Sequence, residues 1–157
     1  MNEPQFLEQI DKHQVIIHKI CRLYRDSAED REDLFQEIVF QLWKSRDSFQ
    51  EKAKFSTWIY RVALNTAMAS FRKKKLPVVY TGYVPDQVEQ NNTEERQIQE
   101  AQLFHALQQL EDSEKAIMAL YLEDMSYQEI ASLMGISENY VGVKLNRIKT
   151  KIQKLLK

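Results

Sequence analysis

Apolar positions recur every three or four residues through most of this chain, and the breaks in that rhythm mark where its helices stop. Phe6, Leu7, Ile10, Ile17, Cys21 and Tyr24 fall on one face of a first predicted helix, which runs out near Asp26. A second is expected over residues 29–45, where Leu34, Ile38 and Leu42 form one i, i+4 row and Phe35, Val39 and Trp43 another. Its first turns carry Glu29, Asp30, Glu32 and Asp33, which suits the positive end of the helix dipole. The polar stretch 46–54 reads as a loop interrupted by Phe49. A third helix begins near Ser56, carries Trp58, Ile59, Val62, Ala63 and Met68, and ends in Phe71-Arg72-Lys73-Lys74-Lys75. The rhythm is lost across residues 76–93, where Pro77, Gly82 and Pro85 precede a polar run, so this segment reads as a flexible linker. Val78, Val79 and Tyr80 make at most an isolated strand, which would be unstable.

Helical spacing returns with four more elements, at about 94–110, 113–122, 126–134 and 137 to the end. Leu103, Leu107 and Leu110 on the first, with Ile117, Leu120 and Tyr121 on the second, are the expected core. Ser126 and Glu129 form an S-x-x-E capping box that starts the third of these helices. Gly135 ends it, because a left-handed residue at a helix C-terminus is cheapest for glycine. Ile136 is the apolar turn residue and Ser137 caps the last helix. A short helix bracing a longer basic one across a tight turn is how many proteins lay side chains into the DNA major groove.

In that last helix Val141, Leu145 and Ile148 mark the core face, leaving Glu138, Asn139 and Tyr140 in the first turn, where base edges are met. Asparagine pairs bidentately with adenine and glutamate accepts from cytosine. Lys144 and Arg147 lie further along and suit phosphates or guanine. From Lys144 to Lys157 the chain carries six cations and no acid. The plain alternative is a helical hairpin with a solvated basic face, but caps, turn and charge all agree on the DNA-facing reading.

Composition narrows the class. With three glycines and three prolines in 157 residues and no sustained alternation, the expected class is all-α, in one ordinary domain or two small ones. The glycines stand too far apart for a phosphate-binding loop. A net charge of −1 is uninformative, yet ten of the 22 basic residues sit in 72–75 and 144–157. Between Asp86 and Glu114 eight acids face the single Arg96. Cys21 is the only cysteine, which rules out an internal disulfide and suits a reducing compartment. No signal pattern and no long apolar run are visible, so a cytoplasmic protein is expected.

Catalytic chemistry is not expected. His13, His18 and His105 are the only histidines, and His18 with Cys21 gives two ligands where a structural zinc needs four. Cys21 reads as a buried structural residue, and no cofactor or small-molecule substrate is implied. The aromatic and basic mixture of 55–75 is more suggestive: Trp58, Tyr60, Arg61, Asn65 and Arg72 to Lys75 suit unpaired bases and phosphates. Composition alone does not choose between that surface and a core role for Trp58 and Phe71 with solvating lysines.

Three segments, Asp30-Arg31-Glu32-Asp33-Leu34-Phe35-Gln36-Glu37, Phe55-Ser56-Thr57-Trp58-Ile59-Tyr60-Arg61-Val62-Ala63-Leu64-Asn65 and SYQEIASLMGIS from Ser126, resemble the extracytoplasmic function sigma factors of bacteria. The likeness covers nearly the whole chain. It implies a region 2-like helical bundle over 1–75, a linker over 76–93, and a region 4-like domain over 94–157 with a helix-turn-helix at about 126–147. It also implies a dissociable subunit that brings core RNA polymerase to promoters. Asp33, Gln36 and Glu37 match the D-L-x-Q-E motif that docks on the clamp helices of the largest subunit, and the flap is a second expected contact. Arg61 and Asn65 match the −10 reading pattern, with Arg72, Lys73, Lys74 and Lys75 tracking phosphates. Ser137, Glu138, Asn139, Tyr140, Lys144 and Arg147 would meet the −35 element, and an anti-sigma protein is the expected regulator. Gly142 and Val143 depart from the family, which often has a basic and then a small polar residue there. A conventional helix-turn-helix regulator, with the first half as sensor or dimerisation module, is the rival reading.

Overall fold

A computed structural model describes residues 2–49, 54–73 and 94–156. Among these there are seven α-helices and no strand. The chain divides into two compact units, Met1–Lys75 and Leu76–Lys157.

The first unit is three helices that each pack on the other two: α1 (Glu3–Tyr24), α2 (Ala28–Lys44) and α3 (Phe55–Lys73). Asn2 begins α1 through a reciprocal cap, its Oδ1 accepting from the Gln5 amide at 3.0 Å while its own amide donates to Gln5 Oε1 at 3.2 Å. Ser27 caps α2, accepting from the Asp30 amide at 3.0 Å. Ile17, Ile38, Leu42 and Ile59 are fully buried at the centre, each stabilising the bundle by about 1.5–3 kcal/mol. Ala63 and Ala67, also fully buried and one turn apart on α3, leave room for the neighbouring helices. A short 3-10 turn, Arg46–Ser48, follows α2 in the stretch expected to be loop.

Leu7 departs from the expected core, being 54% exposed. The buried residues of α1 lie on a face through Phe6 and Ile10, and Leu7 is rotated about 100° from Phe6. Cys21 is buried as expected, and burial pushes its thiol up to about 11, which keeps it protonated and inert.

In the second unit, α5 (Asp112–Leu122), α6 (Tyr127–Met134) and α7 (Glu138–Leu155) pack on one another, and α4 (Glu94–Gln108) packs on α7. Leu107, Leu110, Ile117, Leu120 and Ile130 are buried with Val141, Leu145 and Ile148 of α7. Leu103 is exposed and Tyr121 half-buried, so the expected core loses one member and keeps only part of another. Between α5 and α6 the chain turns through Asp124 in the left-handed region (φ 61°). The 76–93 segment, with Val78, Val79 and Tyr80, lies outside the described residues, as do Lys74, Lys75 and Lys157.

Candidate functional site

Three surfaces carry the candidate residues. On α2, Leu34, Ile38 and Leu42 turn inward, which leaves Asp33, Gln36 and Glu37 exposed together at i, i+3 and i+4. Glu37 Oε1 accepts a hydrogen bond from Gln41 Nε2 at 3.1 Å, one turn on. Beside these polar groups runs an apolar groove of about 470 Å³ between α1 and α2, with Gln36 on its rim. Phe40 (56% exposed) and Leu7 form its open lip. Phe6 and Trp43 also line it, their rings in an edge-type arrangement with centroids 5.0 Å apart, and the Arg46 guanidinium lies 3.8 Å from the Trp43 ring centre. An uncovered apolar groove beside a polar motif is the form of a docking surface. Phe40 escaped the sequence reading because it belongs to neither i, i+4 apolar row of α2, and that exclusion was itself the available signal.

On α3, Arg61 and Asn65 stand exposed one turn apart. Trp58 and Tyr60 do not join them: both are buried, at 8% and 3% exposure. Of the two readings left open for this segment, the core role holds for Trp58, and the candidate stacking surface loses both aromatics. Trp58 instead packs with Phe49 and Phe55 at centroid distances of 5.3–5.6 Å, and its Nε1 donates to Ser48 Oγ at 3.2 Å. This cluster joins the chain at Phe49, before α3, to the first turn of α3. Arg72 and Lys73 close α3, their side chains outside the described set.

The third surface is built by α6 and α7. Ser126 Oγ accepts from the Glu129 amide at 3.1 Å while Glu129 Oε1 accepts from the Ser126 amide at 3.3 Å. Gly135 takes φ 70°, so that the Ile136 amide reaches back to the Ala131 carbonyl at 3.1 Å and ends α6. Ser137 Oγ then accepts from the Tyr140 amide at 3.1 Å and starts α7. With Val141, Leu145 and Ile148 buried, Ser137, Glu138, Asn139, Tyr140 and Arg147 are exposed and Lys144 half-exposed, its Nζ 5.6 Å from the Tyr140 ring centre.

Residues 9–76 match the sigma-70 region 2 family and residues 100–152 the sigma-70 region 4 family. The chain belongs to the sigma-70 family, as an ECF sigma factor. Among its relatives are the ECF RNA polymerase sigma factors SigW of Bacillus subtilis and SigM of Mycobacterium tuberculosis. SigW is 25% identical over 99% of this chain and 91% of its own. SigM is 24% identical over 92% and 74%. Two solved structures share the fold. The sigma factor RpoE, solved with the anti-sigma factor NepR from Bartonella quintana, superposes with TM-score 0.78 at 16% identity over 98% of both chains. CnrH, solved with the cytosolic domain of CnrY, gives 0.69 at 20% identity over 99% of this chain and 89% of that one.

The sigma factor's basic stripe is less free than its sequence implies. Lys151 donates to both oxygens of Glu114 at 2.9 Å, and Glu114 Oε1 also accepts from the Glu111 amide at 3.1 Å. Glu114 is only 2% exposed. Burial works against its ionisation, but the Lys151 and Glu111 hydrogen bonds outweigh it, so its carboxyl is held below the usual range; the same contact raises the Lys151 ammonium. Lys149 donates to the Tyr121 hydroxyl at 3.3 Å and lies 4.8 Å from that ring's centre. Two of the stripe's cations thus bind α7 to α5. Among the described residues, no group of three His, Cys, Asp or Glu side chains is placed to hold a metal ion, and no helix is long and apolar enough to cross a membrane.

Proposed function

We propose that this sigma factor works as a dissociable subunit of RNA polymerase that brings core enzyme to promoters, with a separate surface for each partner. The α2 face of Asp33, Gln36 and Glu37 docks on the clamp helices, and the groove lipped by Leu7 and Phe40 supplies the apolar part of that contact. Arg61 and Asn65 face the −10 element, with Arg72, Lys73, Lys74 and Lys75 following its phosphates. Ser137, Glu138, Asn139, Tyr140, Lys144 and Arg147 meet the −35 element as duplex, and the flap is the second polymerase contact. Binding an unstacked strand offsets lost base pairing, so promoter opening calls for no catalytic group in the subunit.

The observation that carries this reading is the exposure of the whole D-L-x-Q-E polar set beside an uncovered apolar groove, on a unit matching sigma region 2. The setting is the cytoplasm, where the polymerase acts, and an anti-sigma protein covering these surfaces is the expected means of control. Purified chain added to core polymerase is expected to direct initiation from defined start sites on genomic templates. Sequence-specific duplex binding with no core binding and no initiation would instead identify a conventional helix-turn-helix regulator.

A further inference from the structure

The outward ridge of α7 has at its middle a residue outside the set expected to face DNA. Successive helical residues turn about 100°, so Val143 lies about 200° from fully buried Val141, directly away from the core. It is 45% exposed. Asn139 stands one turn before it and Asn146 and Arg147 one turn after, all exposed on the same ridge. A lone exposed aliphatic elsewhere on a protein means little. At this position neither burial nor helix propensity favours valine, and polar groups capable of reading bases flank it on both sides.

We infer that Val143 is a specificity-determining residue that packs its methyl groups against the 5-methyl group of a thymine in the −35 duplex. The inference rests on the reading of α7 as the duplex-reading helix. Thymine alone presents a methyl group in the major groove, while the amides of Asn139 and Asn146 read hydrogen-bonding edges. Valine is short and stiff, so it reaches a base only where the helix backbone comes close. Gly142, next to it, adds no side chain to hold the backbone away. The fold does not require glycine there: a Cβ at 142 would meet only the Tyr127 ring, at 3.5 Å, an ordinary contact.

The test uses the full chain bound to core polymerase and a duplex library randomised over the −35 region. In the sequence recovered by the wild type, each thymine is replaced in turn by deoxyuridine, which removes only the methyl group. One replacement is expected to weaken wild-type binding about fourfold, the value of one buried methyl-sized group. Val143→Ala is expected to bind both duplexes alike, and Val143→Ile to keep the wild-type discrimination. Indifference of the wild type at every thymine, or equal sensitivity of Val143→Ala, overturns the inference while leaving promoter recognition intact. Recovery of no upstream duplex motif overturns the reading of α7 and this inference together.

Discussion

Glu114 shows how much one side chain decides in a unit this small. A carboxylate this buried is tolerated because Lys151 and the Glu111 amide supply hydrogen bonds in place of water. Glu114→Gln is expected to lower stability by roughly 1–3 kcal/mol at neutral pH, measured by denaturant unfolding. The sign of the pH dependence follows from the depressed carboxyl. Its contribution is complete above 4.5, the ordinary value, and is lost as pH falls through the lower folded-state value. The gap between wild type and Glu114→Gln is therefore expected to close in acid. A gap that persists at full strength after the carboxyl is protonated would rule out the ion pair as its source. Gly142→Ala is the opposite case: there is room for the methyl group, and the helix is expected to gain about 1 kcal/mol. Thermal melts of the two proteins check this directly, and a loss of stability would mean that the Tyr127 ring cannot accept the contact.

The cations of α7 are sorted by what lies behind each of them. On α7, Lys149 and Lys151 are held by Tyr121 and Glu114 of α5, whereas Arg147 stands exposed on the outward side. Arg147→Ala is expected to reduce the slope of log K against log salt for duplex binding by up to about 0.9. Lys151→Ala is expected to lower the melting temperature and leave that slope almost unchanged; the reverse pattern would return Lys151 to the phosphate-contacting set. On α2, Phe40→Ala is expected to weaken core polymerase binding with little change in melting temperature, because the ring is exposed in the free chain. The helix ends were legible in the sequence, since Ser126 with Glu129, Gly135 and Ser137 act on residues within one turn of themselves. The α5–α7 bonds were not. Their partners stand 28 and 37 residues apart, and no local pattern distinguishes a lysine that turns back to another helix from one that faces solvent. Trp58 and Tyr60 stayed undecided for a related reason: composition marks an aromatic as suited to bases or to core, and only packing chooses.

Across the whole molecule, the proposed role rests on a division of labour. Its two compact units carry different exposed sets, the α2 face with its apolar groove on one and the capped, basic α7 on the other. Three motifs in order along the sequence already implied that arrangement. The groove at Leu7 and Phe40 was hidden because it forms only when α1 and α2 pack. The most direct measurement is equilibrium binding of the full chain, as wild type and as Glu37→Lys, to core polymerase and separately to −35 duplex. Reversing a charge in the docking face is expected to weaken core binding by roughly tenfold or more while duplex affinity stays within about twofold. Unchanged core affinity, or an equal loss of both affinities, would contradict the assignment of α2 to the polymerase and α7 to DNA.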